Sequence, residues 1–441
     1  MSRVVAKVKA ALGSELWPIP SLAVGAALAL GIGLPILDSA IDERLSPLVA
    51  EYLFGGGPDA ARGVLEAVSA SLITVTSLTF SLTVVTLQLA SSQFSPRLLR
   101  TFTSDHFVHG TLALFLATFT YALTVLRTVR TQDVGVAAFV PQLSVTFAFV
   151  LAVASIIALV MFLAHLTREI RVETMMQRVS AETIVVINRI FGEDAASPPG
   201  PVPSPAGSIR IESAESGFLI YLDNSSLVAA ATAWDAVIRI DSEAGESLIR
   251  RTPFATVWPM DPARRFTADE RERLSNAVNG AIGTGIERTN VQDPGFGFRQ
   301  LVDMASKALS PGINDPTTAV HVLGHLSELL CLLTERHSGP RAIRDDDGRV
   351  LVVLSRPSVA DLLSLSLSQI RHYGSQDPVV ASRILRLLEE VAWCDRARAH
   401  TAALRSELAQ TADAIDTHPY GTAERARLAE LARQVGDALQ R

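Results

Sequence analysis

The chain has 441 residues, 48% of them hydrophobic and 19% charged, a length that suits two or three domains. Its formal net charge of −6 gives no basis for nucleic-acid binding, and two cysteines, Cys331 and Cys394, are too few for a disulfide framework. Every basic residue except Lys7, Lys9 and Lys307 is arginine, a bias that together with abundant alanine reads as a high-GC bacterial genome.

Four stretches meet the roughly 20 apolar residues that a helix needs to cross a bilayer. They run from Trp17 to Leu37, from about Val64 to Ala90, from about Phe107 to Val129 and from about Phe139 to Leu166, and none has a charged residue near its centre. The basic flanks Arg3, Lys7 and Lys9, then Arg97 and Arg100, then Arg168, Arg171 and Arg178 place both ends of the membrane half in the cytoplasm. Arg127 and Arg130, at the outer end of the third span, run against that rule. A cleaved signal peptide over residues 1–40 is the competing reading. In the first span Gly25, Ala29 and Gly33 recur at spacing four, as do Ala154 and Ala158 in the fourth, and small residues at that spacing are expected as packing seams.

The second span is loaded with hydroxyls. At about 100° per residue, Ser69, Thr76, Thr79, Thr83 and Thr86 form one stripe, and Thr74, Ser77, Ser81 and Gln88 form another. A Ser or Thr can bond the carbonyl one turn back, so a stripe has two readings: glue between helices, or the lining of a wet path in which hydroxyls replace part of a solute's water shell. The first stripe is the candidate pore lining. No Asp, Glu or Lys stands mid-membrane, which argues against a proton relay. Gln93, Ser95, Pro96, Arg97 and Arg100 follow as a polar, basic elbow at the inner surface, where Pro96 disfavours further helix.

A charged helix, about 167–191, and a Pro- and Ser-rich linker bring the connecting segment to residue 207. Short β-prone runs between turn residues predict a small β domain over 208–260. Residues 245–254 resemble the strand pattern of biotinyl and lipoyl half-barrels, but that region has no lysine to carry such a group, and no cofactor is expected anywhere. Residues 261–441 read as mainly helical. Asp345-Asp346-Asp347-Gly348 marks a hairpin turn, without the spacing or terminal Glu of a calcium loop.

The densest motif spans 288–319. Arg299, Asp303 and Lys307 recur at spacing four as a candidate ion-pair ladder. Asp315 is placed to cap the helix that Pro316 begins, whereas Asp293 and Asn314 have no such ready explanation. Ser92-Gln93-Phe94-Ser95-Pro96-Arg97, Asp293-Pro294-Gly295-Phe296-Gly297 and Ala308 through Ala319 together resemble a bacterial membrane protein family, domain of unknown function 2254. The resemblance implies a bacterial plasma-membrane location, four spans and a cytoplasmic domain, with no established activity.

Other chemistry is missing from the sequence. There is no phosphate-binding loop, and Gly295-Phe296-Gly297 lacks the third glycine of a dinucleotide fingerprint. His321 and His325 have zinc-chelating spacing without the accompanying Glu, so no metal site is expected. The expected fold is an α-helical integral membrane protein with four transmembrane helices (residues 1–166) and a C-terminal cytoplasmic α+β region, a small β domain followed by a helical bundle. The expected function is an oligomeric ion or small-solute channel gated by its cytoplasmic domain. The alternative is a non-conducting anchored sensor or scaffold. The lipid bilayer and further copies of the chain are the expected partners, and any soluble ligand or protein partner is unknown.

Overall fold

The computed structural model describes residues 17–41, 53–93, 105–131, 139–169, 171–192, 205 and 207–440. The chain forms two compact units, Met1–Arg171 and Val172–Arg441.

The first unit is built from four helices, α1 (Pro18–Ile41), α2 (Pro58–Gln93), α3 (His106–Leu126) and α4 (Gln142–Glu169). Helix α3 touches the other three, and its Phe115, Tyr121, Ala122 and Val125 are wholly buried. Large apolar side chains point outward: Leu22, Ile32, Ile36, Leu78, Phe80, Ile156 and Val160 are all more than half exposed. That is the inverse of a water-soluble bundle.

Polar ties lie inside the first unit. The Asp38 carboxylate, buried in the last turn of α1, accepts from the backbone N–H groups of Leu143 and Ser144 (3.0 and 2.9 Å) and from the Ser144 hydroxyl (2.6 Å). It thereby caps the N-terminus of α4, where donors have no partner within the helix. Tyr121 donates to the Ser144 carbonyl at 3.1 Å. At the other end of the α3–α4 pair, His165 Nε2 lies 2.6 Å from Asp105, whose carboxylate also caps α3. The seam expected through Gly25, Ala29 and Gly33 is not the one used within the unit, since all three are exposed. Contact runs instead through Ala27, Gly31 and Asp38, with Gly31 so near α3 that a Cβ there would meet the Thr124 Cβ at 2.8 Å.

The second unit opens with α5 (Val172–Ile190). The expected continuous charged helix is thus a separate element, starting after α4 has ended at Glu169. Then come β1 (Ile209–Glu212), β2 (Gly217–Leu222), α6 (Asn224–Ala233), β3 (Ala236–Ile240), β4 (Ser247–Leu248), β5 (Pro253–Pro259), α7 (Ala268–Gly280) and β6 (Ile282–Gly285). They are followed by α8 (Pro294–Ala308), α9 (Pro316–Thr334), β7 (Arg341–Arg344), β8 (Val350–Leu354), α10 (Val359–Gly374), α11 (Pro378–Cys394), α12 (Thr401–Asp416) and α13 (Thr422–Ala438).

Five strands form one sheet in the order β1-β5-β3-β8-β7, and three form another in the order β4-β2-β6. The β7–β8 hairpin therefore belongs to the main sheet, joined through the parallel pair β3–β8, in which Ile238 faces Val352. Residues 245–254 are split between the two sheets, as β4 and the start of β5, so they build no half-barrel of their own. The sheet core gathers Ile211, Leu227, Ile238, Ile240, Val257 and Val352.

Local chemistry sets the helix starts. Thr267 with Glu270 and Ser358 with Asp361 form capping boxes. Asp293-Pro294, Asp315-Pro316 and Asp377-Pro378 each begin a helix with proline in its first turn. Helices α11 and α12 are separated at Asp395, whose carboxylate accepts from the N–H groups of Ala399 and His400 while Arg398 takes φ +53°. Cys331 on α9 and Cys394 at the end of α11, isolated in the sequence, come within hydrogen-bonding reach, and burial pushes the Cys331 thiol up.

Among the described residues five helices are long and apolar enough to cross a membrane: α1, α2, α3, α4 and α9. The last, Pro316–Thr334, is not one of the four stretches expected. Its Val322, Leu323, Leu326, Leu329, Leu330 and Leu333 are wholly buried inside the second unit, while His321 and Glu328 are exposed.

Candidate functional site

Two places gather the residues the sequence singles out: helix α2 and the start of α8.

On α2 the two polar stripes have different surroundings. Ser69, Thr79 and Thr86 are buried and Thr76 and Thr83 half-buried, so the first stripe faces the interior of its own unit. The hydroxyls of Ser69, Thr76, Thr83 and Thr86 donate to the carbonyls of Leu65, Leu72, Thr79 and Leu82, at 2.8, 2.6, 2.8 and 2.8 Å. Thr79 alone among them is buried with its hydroxyl unpartnered among the described residues. The second stripe, Thr74, Ser77, Ser81 and Gln88, is exposed. Thr74 donates to Ala70, whereas Ser77, Ser81 and Gln88 have no partner among the described residues. Gly63, Ala67 and Ala70 continue the same exposed face toward the start of the helix. Gln93 is the last residue of α2, and the elbow residues Ser95, Pro96, Arg97 and Arg100 lie outside the described residues.

The motif at α8 is held by a buried ion pair. Asp293 is 4% exposed, and Arg288 donates to its Oδ2 through Nε (2.9 Å) and Nη2 (2.6 Å). Burial still leaves the Asp293 carboxyl raised above its ordinary range, against the pull of Arg288. Gly245 lies against the pair: a Cβ there would stand 2.0 Å from Asp293 Oδ2, and the backbone has φ +93°. Next to Gly245, Glu243 is pushed up to about 7 by burial, then by the charges of Glu246, Asp361 and Asp293. This acidic corner escapes sequence reading because its members come from three distant segments.

The loop before α8 also clamps its neighbours. Gln292 bonds both the N–H and the carbonyl of Leu222 (2.8 and 3.1 Å), as a strand would. Asn290 donates to Glu182 on α5 at 3.1 Å. Gly297 has a packing reason and no need of a nucleotide, since a Cβ there would meet Thr183 Oγ1 of α5 at 1.8 Å. The motif therefore grips α5, the helix that follows α4 in sequence.

The rest of the motif is peripheral to that pair. Arg299 and Asp303 are half-buried and Lys307 is exposed. Asn314 is exposed with φ +50°, a left-handed turn that asparagine tolerates, and its N–H donates to the Ser310 carbonyl. Asp315 caps α9, accepting from the Thr318 N–H (3.1 Å) and hydroxyl (2.6 Å), which holds its carboxyl below the ordinary range. His321 and His325 lie 3.8 and 3.9 Å from the carboxylates of Glu173 and Glu328. Among the described residues no group of His, Cys, Asp and Glu is arranged to hold a metal.

Residues 13–390 match the family described as predicted membrane protein, domain of unknown function 2254. An uncharacterized protein of Mycobacterium bovis and one of Mycobacterium tuberculosis strain H37Rv are each 35% identical over 444 aligned positions, covering 98% of this chain and 82% of the relative. No solved structure matches the chain. The chain belongs to this membrane protein family.

Proposed function

Starting from that membership, we propose that the chain is a multi-pass protein of the bacterial plasma membrane whose exposed α2 face joins copies into a homo-oligomer and lines a passage for an ion or small solute, gated by the C-terminal unit. One observation carries the proposal: Ser77, Ser81 and Gln88 are exposed on an apolar unit and have no partner among the described residues. A hydroxyl or amide turned to hydrocarbon without a hydrogen bond is costly, so another subunit or water is the favourable neighbour of this face. The small side chains of Gly63, Ala67 and Ala70 allow close helix approach beside it.

The topology belongs to the proposal. Helices α1 to α4 are taken as the four spans, with both ends of the chain cytoplasmic by their basic flanks. Helix α9 is taken as a core helix of the water-exposed unit, because its leucines point inward while His321 and Glu328 point outward.

Reconstitution in liposomes tests the reading. Cross-linked wild-type oligomers should conduct, and Ser77→Val with Ser81→Val should change conduction at least several-fold. Thr76→Val, on the inward stripe, should not. Absence of flux for ions and small solutes at every pH and voltage removes the passage. A second reading, a non-conducting anchored sensor or scaffold, draws support from the first stripe, where four hydroxyls are already satisfied by their own helix.

A further inference from the structure

We propose that the cleft between β8, the start of α6 and the loop before α8 binds a small ligand through an oxyanion group, with Arg356 as the charge partner and Asn224 and Ser355 as neutral hydrogen-bonding groups. The site lies wholly in the second unit and stands independently of whether the protein conducts.

Arg356 stands two residues beyond the end of β8 and lines this cleft with Leu222, Asn224, Gln292 and Ser355. Its Nη1 donates to the carbonyl of Ile190, the last residue of α5, at 2.5 Å. It has no carboxylate partner among the described residues. The neighbouring strand brings a second guanidinium toward it: Arg341 on β7 stands in register with Leu354, and it too is unpaired among the described residues. Burial, then the charge of Arg341, pushes the Arg356 guanidinium down to about 10. A cation that is partly desolvated beside a like charge is unfavourable unless something negative completes the site. A planar guanidinium matches carboxylate and phosphate oxygens in particular.

The remaining polar groups agree with such a ligand. The Asn224 amide and the Ser355 hydroxyl have no side-chain partner among the described residues. Gln292 is already committed to Leu222 and acts as a wall. The N-terminus of α6 is also taken, because Asp223 accepts from the Ser226 N–H and hydroxyl, so binding falls to side chains. The cavity volume is about 50 Å³, where roughly 10–15 Å³ accommodates one water. That admits one phosphate- or carboxylate-sized group, with any larger remainder of the ligand outside.

Binding can be read on the full chain in neutral detergent, by calorimetry and by thermal shift, with sodium phosphate and sodium acetate as separate probes at constant ionic strength and sodium chloride as the control. Saturable binding of phosphate, acetate or both is expected, and the pair of probes distinguishes the two oxyanion sources. Arg356→Ala should weaken the Kd at least tenfold. Because that variant also loses the Ile190 bond, Asn224→Ala and Arg341→Ala serve as gentler tests, each expected to weaken binding at least threefold with an unchanged melting temperature in chloride. The proposal is overturned if wild type binds neither probe, or if all three variants bind as wild type does.

Discussion

Gly245 has φ +93°, and the space of its absent side chain is filled by Asp293. Gly245→Ala should therefore destabilise the second unit by about 1–3 kcal/mol, seen as a lower melting temperature of the full chain. An unchanged transition would mean that the Arg288–Asp293 pair tolerates displacement. Glu243 makes a pH prediction. Its carboxyl is raised from 4.5 to about 7, so folding takes up a proton here between those values. The stability this site contributes is complete below pH 4.5 and is lost as pH rises through 7. Glu243→Gln should flatten the fall in melting temperature between pH 5 and 8, and an unaltered slope would assign that fall to other groups. The sequence marks Asp293 as unexplained, and folding supplies the reason: Arg288, five residues upstream, and Gly245, far upstream, converge on it. Asn314 is answered by its left-handed backbone, which no spacing rule reveals.

Elements add a second level of agreement and loss. The periodicity of α2 separates its two polar stripes correctly, because 100° per residue is a property of any helix. Which stripe turns inward depends on where α3 packs, and the sequence of α2 alone does not contain that. The capping of α9 by Asp315 is legible for the opposite reason: donor, acceptor and proline all lie within four residues. Asp38 shows the limit. In the sequence it is an acid just past the first apolar stretch, yet it closes the N-terminus of α4 from the end of α1. Asp38→Ala leaves two backbone donors and a hydroxyl unmatched and should cost about 2 kcal/mol, measured by detergent unfolding followed on α4. Asp38→Asn should restore part of that loss. Equal stability of wild type and Asp38→Ala would show that water replaces the carboxylate.

At the scale of the whole chain, composition sets an apolar N-terminal region apart from a more polar C-terminal one, and the first four helices turn apolar residues outward. Helix α9 shows what hydropathy alone leaves open: it is long and apolar enough to cross a membrane, yet its leucines are buried against neighbouring elements of the second unit. The sheet is harder still to read. Short β-prone runs between turn residues mark β3 and β8 as strands but specify neither partner nor direction, so a contiguous β domain over 208–260 is the natural expectation. The observed sheet instead reaches forward to residues 341–354. This long-range pairing has a consequence for biogenesis. As the polypeptide leaves the ribosome, β3 emerges with one edge open and keeps it open until more than a hundred further residues have been translated. During that interval the nascent chain carries an unsatisfied strand, a hazard for misassociation, and the helices that form meanwhile, α7 to α9, are the material at hand to shield it until β8 arrives.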